Sequence, residues 1–333
     1  MTCRKISGHP FKGPDMPQLP DFRVATLRPF STVGLDYCGP ILFRDGEESR
    51  KAYIVLFTCS AVRAVHLEVV PDMTVASFLR ALRKFVSRRG IPSIISDNAS
   101  QFKAAFRILN CVSEADEVQQ FAADRRIVWN FIVEKAPWMG GFYERLIGVV
   151  KISLKKCLLS SLVTIDELSC LVCEVEGVVN SRPLAYVPSD LEEEPLTPSH
   201  FLCLTRLTKL PAGTVPRLDL TLPMRMTATR RMLNLFWRTF YKSYILSLRE
   251  HASFKQSADL VSSPYIGQVV LITEDKVPRL RWRLGRIVEL VRGRDDQVRS
   301  AILKVPVRSS NTTSRAPETI RRPLKLLIPL ECT

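Results

Sequence analysis

Residues 52–59, Ala-Tyr-Ile-Val-Leu-Phe-Thr-Cys, form a nearly continuous apolar run. Eight residues suit a strand better than a helix, and apolar side chains on both alternating faces mark a strand at the centre of a sheet. Its flanks extend the sheet. Residues 32–37 alternate apolar and small side chains and end in Cys38-Gly39-Pro40, and residues 64–70 alternate again. Three strands in quick succession make an antiparallel meander. Residues 73–89 then carry Val75, Phe78, Leu79, Leu82, Phe85 and Val86 at helical spacing, with Asp72 as candidate N-cap and Arg88-Arg89-Gly90 as stop. A short strand over 92–96 follows, then a helical stretch over 100–124, broken near Asn110, and a strand over 127–133. Two helices close the region. The first, over 140–160, has Phe142, Leu146, Val149, Val150, Leu154 and Leu158 on or near one face, and the second, over 165–180, stops at Arg182-Pro183.

The resulting order, β-β-β-α-β-α-β-α-α, is that of a ribonuclease H-like core, a mixed five-stranded sheet flanked by helices. Order alone leaves it one option among several α/β folds. The division expected is a basic, Pro-rich arm over 1–29, a core over 30–188, a linker with an amphipathic helix over 189–262, and a small basic β-barrel over 263–333. The helix, from 227 to about 256, sets Met232, Leu235, Phe236, Phe240, Tyr244 and Leu248 to one side. Barrel strands are expected at 268–273, 281–291, 298–307 and 324–328.

A formal charge of +15 favours a polyanionic partner. A membrane partner is disfavoured, because no apolar stretch reaches about 18 residues and no signal pattern opens the chain. The nine cysteines are scattered, mostly in apolar runs, as reduced buried thiols would be. Cys170 and Cys173 have metal-ligand spacing, but no second pair lies nearby, and they read as helix core.

Among 33 acids, three occupy telling positions. Asp36 lies inside the first strand, where a carboxylate is costly unless paired or metal-bound. Asp97 directly follows the strand Ile94-Ile95-Ser96, at the strand end where α/β sheets build sites. Glu144 lies in the first turns of a helix opening with Gly140-Gly141. Such a set suits two divalent ions about 4 Å apart that activate an attacking oxygen and stabilise a leaving one, because hard cations take oxygen ligands. Plainer roles stay open. Asp36 could cap a turn, Asp97 could N-cap the next helix, and Glu144 could simply favour a helix N-terminus. No Walker loop or Ser/His/Asp set competes, and the four histidines (His9, His66, His200, His251) are isolated.

Local strings carry a family resemblance. Val33-Gly34-Leu35-Asp36-Tyr37-Cys38-Gly39-Pro40, Phe57-Thr58-Cys59 with Arg63-Ala64-Val65-His66-Leu67-Glu68, and Ser96-Asp97-Asn98-Ala99-Ser100-Gln101-Phe102 resemble successive motifs of retrotransposon integrases. Ala136-Pro137-Trp138-Met139-Gly140-Gly141-Phe142-Tyr143-Glu144-Arg145 and Val179-Asn180-Ser181-Arg182-Pro183-Leu184 continue the series in order. Leu235-Phe236-Trp237-Arg238, Gly267-Gln268-Val269-Val270 and Trp282-Arg283-Leu284-Gly285-Arg286-Ile287 extend it into the C-terminal region. Together they resemble the integrase region of Pao/BEL long-terminal-repeat retrotransposon polyproteins, a retroviral-integrase-like core with an SH3-like domain. The resemblance implies Asp36, Asp97 and Glu144 as catalytic ligands of two Mg²⁺ or Mn²⁺ ions. It implies DNA contacts by Asn98, Gly140, Gly141, Arg145, Lys151 and Lys155. It also implies a homo-oligomer on double-stranded element and target DNA, working in the nucleus after a cytoplasmic phase.

Three features depart from the pattern. The 46 residues between Asp97 and Glu144 exceed the retroviral spacing, with the extra length expected at 110–120. Gly148 stands where a basic residue is common. Of the zinc site that usually precedes such a core, only Cys3 is a candidate, so the chain reads as a segment of a longer polyprotein. Residues 276–325 hold 14 Lys/Arg against 4 Asp/Glu. Were that region a strand about Trp282, Arg279, Arg281 and Arg283 would share one face, with Arg286 nearby, as a phosphate-binding stripe. The expected function is integration, by 3′-end processing and strand transfer. The alternatives are an inactive or domesticated DNA-binding remnant and, less well supported, a nuclease acting on RNA–DNA hybrids.

Overall fold

The computed structural model describes residues 20–24, 28–113, 127–133, 140–158, 163–186, 195–204, 221–258, 264–274, 277–294, 297–305 and 318–330. A helical turn, α1 (Asp21–Val24), leads into β1 (Thr32–Asp45), β2 (Glu48–Cys59) and β3 (Val65–Val70), then α2 (Val75–Arg89), β4 (Ser93–Ser96), α3 (Ser100–Ser113), β5 (Trp129–Phe131), α4 (Gly141–Leu158) and α5 (Ile165–Asn180). The strands form one mixed sheet in the order β3-β2-β1-β4-β5. The meander is antiparallel, and β4 and β5 run parallel to β1.

The apolar run in β2 shows why the sheet has two layers. Ala52, Ile54 and Leu56 enter one core with α4 and α5, while Val55, Phe57 and Cys59 enter the other with α2 and α3. All six are essentially solvent-free; burying a large apolar side chain contributes about 1.5–3 kcal/mol. β1 obeys the same alternation until a register shift between Cys38 and Ile41. Before it, Val33 and Leu35 face α2; after it, Ile41 and Phe43 face α4 and α5.

Several boundaries differ from expectation. Thr74, rather than Asp72, caps α2, accepting from the Ser77 N–H; Asp72 steadies it by accepting from the Thr74 N–H at 2.9 Å. Gly90 ends α2 at φ 86°, the left-handed region where glycine is favoured. Helix α3 runs unbroken through Asn110, because neither Gly nor Pro interrupts it. The expected extra length at 110–120 falls mostly outside the described residues. A capping box between Thr164 and Glu167 opens α5. On α4 the buried stripe is Tyr143, Ile147, Val150, Leu154 and Cys157, rotated from the expected face; Leu146 and Val149 are half-buried, and the Phe142 side chain lies outside the described residues. Cys170 and Cys173 are exposed on α5 rather than in the core.

Beyond the sheet, β6 (Ala185–Tyr186) pairs with β7 (Pro195–Leu196), and α6 (Pro198–Cys203) follows. The last helix, α7 (Thr221–Ala258), begins earlier than expected, with Pro223 in its first turn, where proline is tolerated. Its buried stripe is broad: Met232, Leu233, Phe236, Trp237, Phe240, Tyr241 and Ile245, with Leu235 left 40% exposed. These residues join the α4/α5 core and that of the C-terminal strands in one cluster, so α7 is a packed element rather than a solvated linker. Strands β8 (Val269–Ile272), β9 (Arg283–Arg292), β10 (Val298–Val305), β11 (Glu318–Pro323) and β12 (Leu327–Pro329) form an antiparallel sheet ordered β11-β10-β9-β8-β12. Among the described residues no ladder joins β11 to β12, so closure into a barrel is not seen. Strand β11 itself was not expected from the sequence, because its Glu-Thr-Ile-Arg-Arg-Pro lacks an apolar run.

One buried charge network ties the core layers. His66 is 1% exposed between the Phe57 and Phe85 rings. Its Nε2 lies 3.1 Å from Glu68, and its Nδ1 lies 3.4 Å from Glu176, an ionic contact at the edge of hydrogen-bonding reach. Arg88 and Arg89 of α2 complete the two glutamates at 2.9 Å each. Burial alone depresses the His66 pKa, but Glu176 and Glu68 outweigh it and the net shift is upward. A histidine with a raised folded pKa contributes stability below its ordinary pKa of about 6.5 and loses it as pH rises through the raised value. Urea midpoints measured across that window should therefore fall with rising pH in the native chain. The step should be missing in His66→Gln, and an equal step in both proteins would disprove this role.

Candidate active site

The parallel pairing of β1 with β4 positions two of the three acids. Thr32, Val33 and Gly34 pair with Ser93, Ile94 and Ile95; extended two residues, that register brings Asp97 level with Asp36. Neighbouring strands are about 4.8 Å apart. By strand alternation Asp36 lies on the face of Gly34 and Cys38, the face covered by α4. Ile95 belongs to the same face, so Asp97 at the end of β4 shares it.

The third acid arrives on α4, and a close contact fixes how α4 lies. The ring of Tyr143, 2% exposed, lies against Gly34: a Cβ there would stand 2.2 Å from a Tyr143 ring carbon and 3.0 Å from the Tyr143 Cβ. At the other end, a Cβ on Gly140 would meet both Glu144 Oε1 at 2.5 Å and the Tyr143 hydroxyl at 2.8 Å. Thus Tyr143 spans from β1 to the start of α4, and the Glu144 carboxylate folds back beside its hydroxyl.

The carboxyl of Glu144 is coupled to the other two acids. Burial, then Asp36 and Asp97, raise the Glu144 pKa, and Lys151 opposes them. The Tyr143 hydroxyl is pushed up by burial and by Glu144, Asp97 and Asp36 in turn. Glu144 therefore lies in the field of both Asp36 and Asp97. Three hard oxygen donors have the chemistry that a divalent cation takes. Their side chains stop short of a closed set: among the described residues, no three His, Cys, Asp or Glu side chains are arranged to hold a metal ion.

Each acid also has a local partner. Asp36 Oδ1 accepts from the Tyr37 N–H at 2.7 Å, and its Oδ2 takes the Lys151 ammonium, also at 2.7 Å. Asp97 Oδ1 accepts from the Ala99 N–H at 3.1 Å, just ahead of α3, so it performs its turn-forming role while facing the site.

The residues expected at DNA divide. Gly141 has open space where a Cβ would stand, whereas Gly140 is buried in the site. Residues 134–139, the rest of that motif, lie outside the described residues. Asn98 is turned inward, its amide donating to the Ile132 carbonyl at 2.6 Å. Arg145 is exposed and reaches the Ser247 carbonyl on α7 at 3.4 Å. Lys155 is exposed on the Lys151 side of α4, and Lys151 itself is paired to Asp36.

Around Trp282 the alternation holds, although the strand begins only at Arg283. Trp282 is 7% exposed and packs on Trp237, Tyr241 and Tyr244. Arg281 points out. Arg279 lies 3.8 Å from Glu174, and Arg283 pairs with Glu274, so the expected stripe of three arginines is broken by acids from elsewhere in the chain. A different basic row emerges from the register. Arg286 stands directly opposite Lys304, and Arg321 lies across from Ile302 on the same face as Lys304. The same register sets Glu289 opposite Ile302, so an acid shares that face. Lys304 and Arg321 were missed because no local motif marks them; only strand pairing brings Lys304 opposite Arg286 and Arg321 alongside on the next strand.

Residues 224–330 match a protein family described as "Family of unknown function (DUF5641)". The chain is similar, at 13% identity and a TM-score of 0.35, to a chain of the simian T-cell lymphotropic virus intasome solved in complex with PP2A regulatory subunit B56 gamma; 92% of this chain and 80% of that one are covered. It is also similar to the catalytic core domain of BIV integrase, at 13% identity and a TM-score of 0.33, over 52% of this chain and 93% of that one. No curated protein matches the sequence.

The glycines give a direct test of how α4 is placed. Gly34→Ala should drive its Cβ into the Tyr143 ring and destabilise the chain by about 1–3 kcal/mol. Gly141→Ala, with open space, should be neutral or stabilising by up to about 1 kcal/mol. Chemical denaturation of the two variants measures both, and equal effects would contradict the proposed contact.

Proposed function

We propose that this chain is an integrase-type polynucleotidyl transferase with Asp36, Asp97 and Glu144 at its reacting centre. The observation that carries the reading is the register of β1 on β4, which, continued two residues past the ladder, sets Asp97 level with Asp36 beneath the helix that bears Glu144. The ordered integrase-like motifs support the same assignment. The sheet order and flanking helices suit a ribonuclease H-like core.

In this reading Asp36, with Asp97 and with Glu144, would hold two Mg²⁺ or Mn²⁺ ions. Bound there, such ions supply an activated oxygen nucleophile and charge neutralisation for the leaving oxygen. In end processing a water oxygen forms a new bond to phosphorus as the bond to a 3′ oxygen breaks. In strand transfer the freed 3′ hydroxyl attacks a target phosphodiester and displaces another 3′ oxygen, so one phosphodiester replaces another. The protein's own work is to orient: Tyr143 and Gly34 hold Glu144 over β1, and the Tyr37 N–H fixes one oxygen of Asp36. The basic C-terminal sheet would grip duplex DNA through Arg281, Arg286, Lys304 and Arg321, without reading its sequence. DNA substrates place this work in the nucleus, on a homo-oligomer that joins element ends to target.

A second reading, DNA binding without strand joining, draws on the open arrangement of the three acids. Labelled oligonucleotide ends incubated with the purified chain and Mg²⁺ or Mn²⁺ separate the two. Strand-transfer products that disappear in Asp97→Asn support the transferase. DNA binding by both proteins, with joining by neither, supports the second reading and sinks the first.

The grip is tested separately. Lys304→Gln should weaken binding to unrelated duplexes alike and lower the salt slope of log K by about 0.9 per lost phosphate contact. An unchanged slope would remove Lys304 from the DNA face.

A further inference from the structure

We propose that Lys151 is the resident counter-ion of Asp36, and that it gives up that carboxylate when a divalent cation binds, becoming free for a DNA phosphate. The inference rests on the metal site proposed above and adds a competitor within the chain itself.

The geometry names the oxygen at stake. Asp36 Oδ1 accepts from the Tyr37 N–H, and the oxygen at stake is Oδ2. The Lys151 Nζ holds that same oxygen at 2.7 Å. The two side chains are 32% and 27% exposed, so the pair is partly sheltered while remaining reachable from solvent.

Helix spacing puts the lysine on the face of Glu144, and the packing of α4 brings it to Asp36. Lys151 follows Glu144 by seven residues, two turns along one helix face. The face of α4 that carries Glu144 to the sheet therefore carries Lys151 to Asp36 as well. An ammonium on a flexible four-carbon stem suits exchange, because it is a point charge that can swing away without breaking a planar, bidentate geometry. Lys155, one turn further on the same side and exposed, continues the positive track away from the acids.

Two consequences follow. Without metal, Lys151 offsets part of the repulsion among the three carboxylates. With metal, the ion pair must break, so its loss lowers metal affinity. DNA that captures the freed ammonium recovers that cost, and metal and DNA then bind with positive, reciprocal coupling.

The test is a calorimetric Mn²⁺ titration of the full chain as native protein, Lys151→Gln, Lys151→Arg and Asp36→Asn, each with and without a short duplex. Lys151→Gln should bind Mn²⁺ more tightly, by roughly two- to fivefold, the fold-change a partly exposed ion pair supports. It should also melt at a lower temperature in chelator. Lys151→Arg keeps the charge and should resemble the native chain, which covers the case in which the glutamine variant fails to fold: an arginine variant that binds Mn²⁺ more tightly than native overturns the inference. Duplex should tighten Mn²⁺ binding to the native chain and not to Lys151→Gln. If Lys151→Gln binds Mn²⁺ no more tightly than native while Asp36→Asn loses binding, the counter-ion role is overturned and the metal site stands. If the native chain binds no Mn²⁺ in an Asp36-dependent way, both fall together.

Discussion

The ring of Tyr143 lies where any side chain at position 34 would have to stand. Because Gly34 has none, α4 can settle on β1, and Glu144 comes with it to the face that bears Asp36 and Asp97. The contact is steric and short-ranged, as close-packed interiors require. It acts at both ends of one residue: the ring rests on the strand, and the hydroxyl reaches the helix start beside Gly140. Two glycines and a tyrosine thus fix how strand and helix approach, and the acids inherit their relation from that approach.

Bringing three carboxylates to one face carries an electrostatic cost that the fold must offset. Some of it is met locally. The Tyr37 and Ala99 N–H groups each hold one carboxylate oxygen, and Lys151 brings a full positive charge. On Glu144, burial and then the other two acids outweigh Lys151, and its pKa is raised. The contrast with His66 is instructive. There two glutamates are matched by an imidazole, two arginines and Lys84, a network suited to holding layers together. The face under α4 keeps an excess of negative charge by comparison.

Much of this could be read from the sequence, for reasons that differ by residue. The central strand was legible because an apolar run buried on both faces has few other uses. Asp36 and Asp97 stood out because a carboxylate within or directly after an apolar strand demands a reason. The partner of Lys151 was not legible, because Asp36 lies 115 residues away and only the packing of α4 joins them. Arg279 and Arg283 misled for the same reason: a local stripe of arginines says nothing about acids that arrive from α5 or the turn after β8. Asp72 gave way to Thr74 because two good capping residues stood in tandem, and only backbone geometry decides which begins the helix.

The long helix α7 changes what the C-terminal sheet can do. As a solvated linker it would leave the C-terminal sheet tethered loosely to the core. Instead its aromatic stripe is shared. Phe236, Phe240 and Tyr241 enter the core cluster that contains α4 and α5, while Trp237, Tyr241 and Tyr244 surround Trp282 beside β9. Polar ties reinforce the seam. The Trp237 indole N–H donates to the Val277 carbonyl at 2.8 Å, and the Tyr244 hydroxyl donates to the Pro183 carbonyl at 2.8 Å. A buried aromatic cluster of this size resists relative motion far better than a chain of polar residues, because sliding would expose several large rings at once. The row Arg286, Lys304 and Arg321 is therefore joined through packed helix to the face of the three acids.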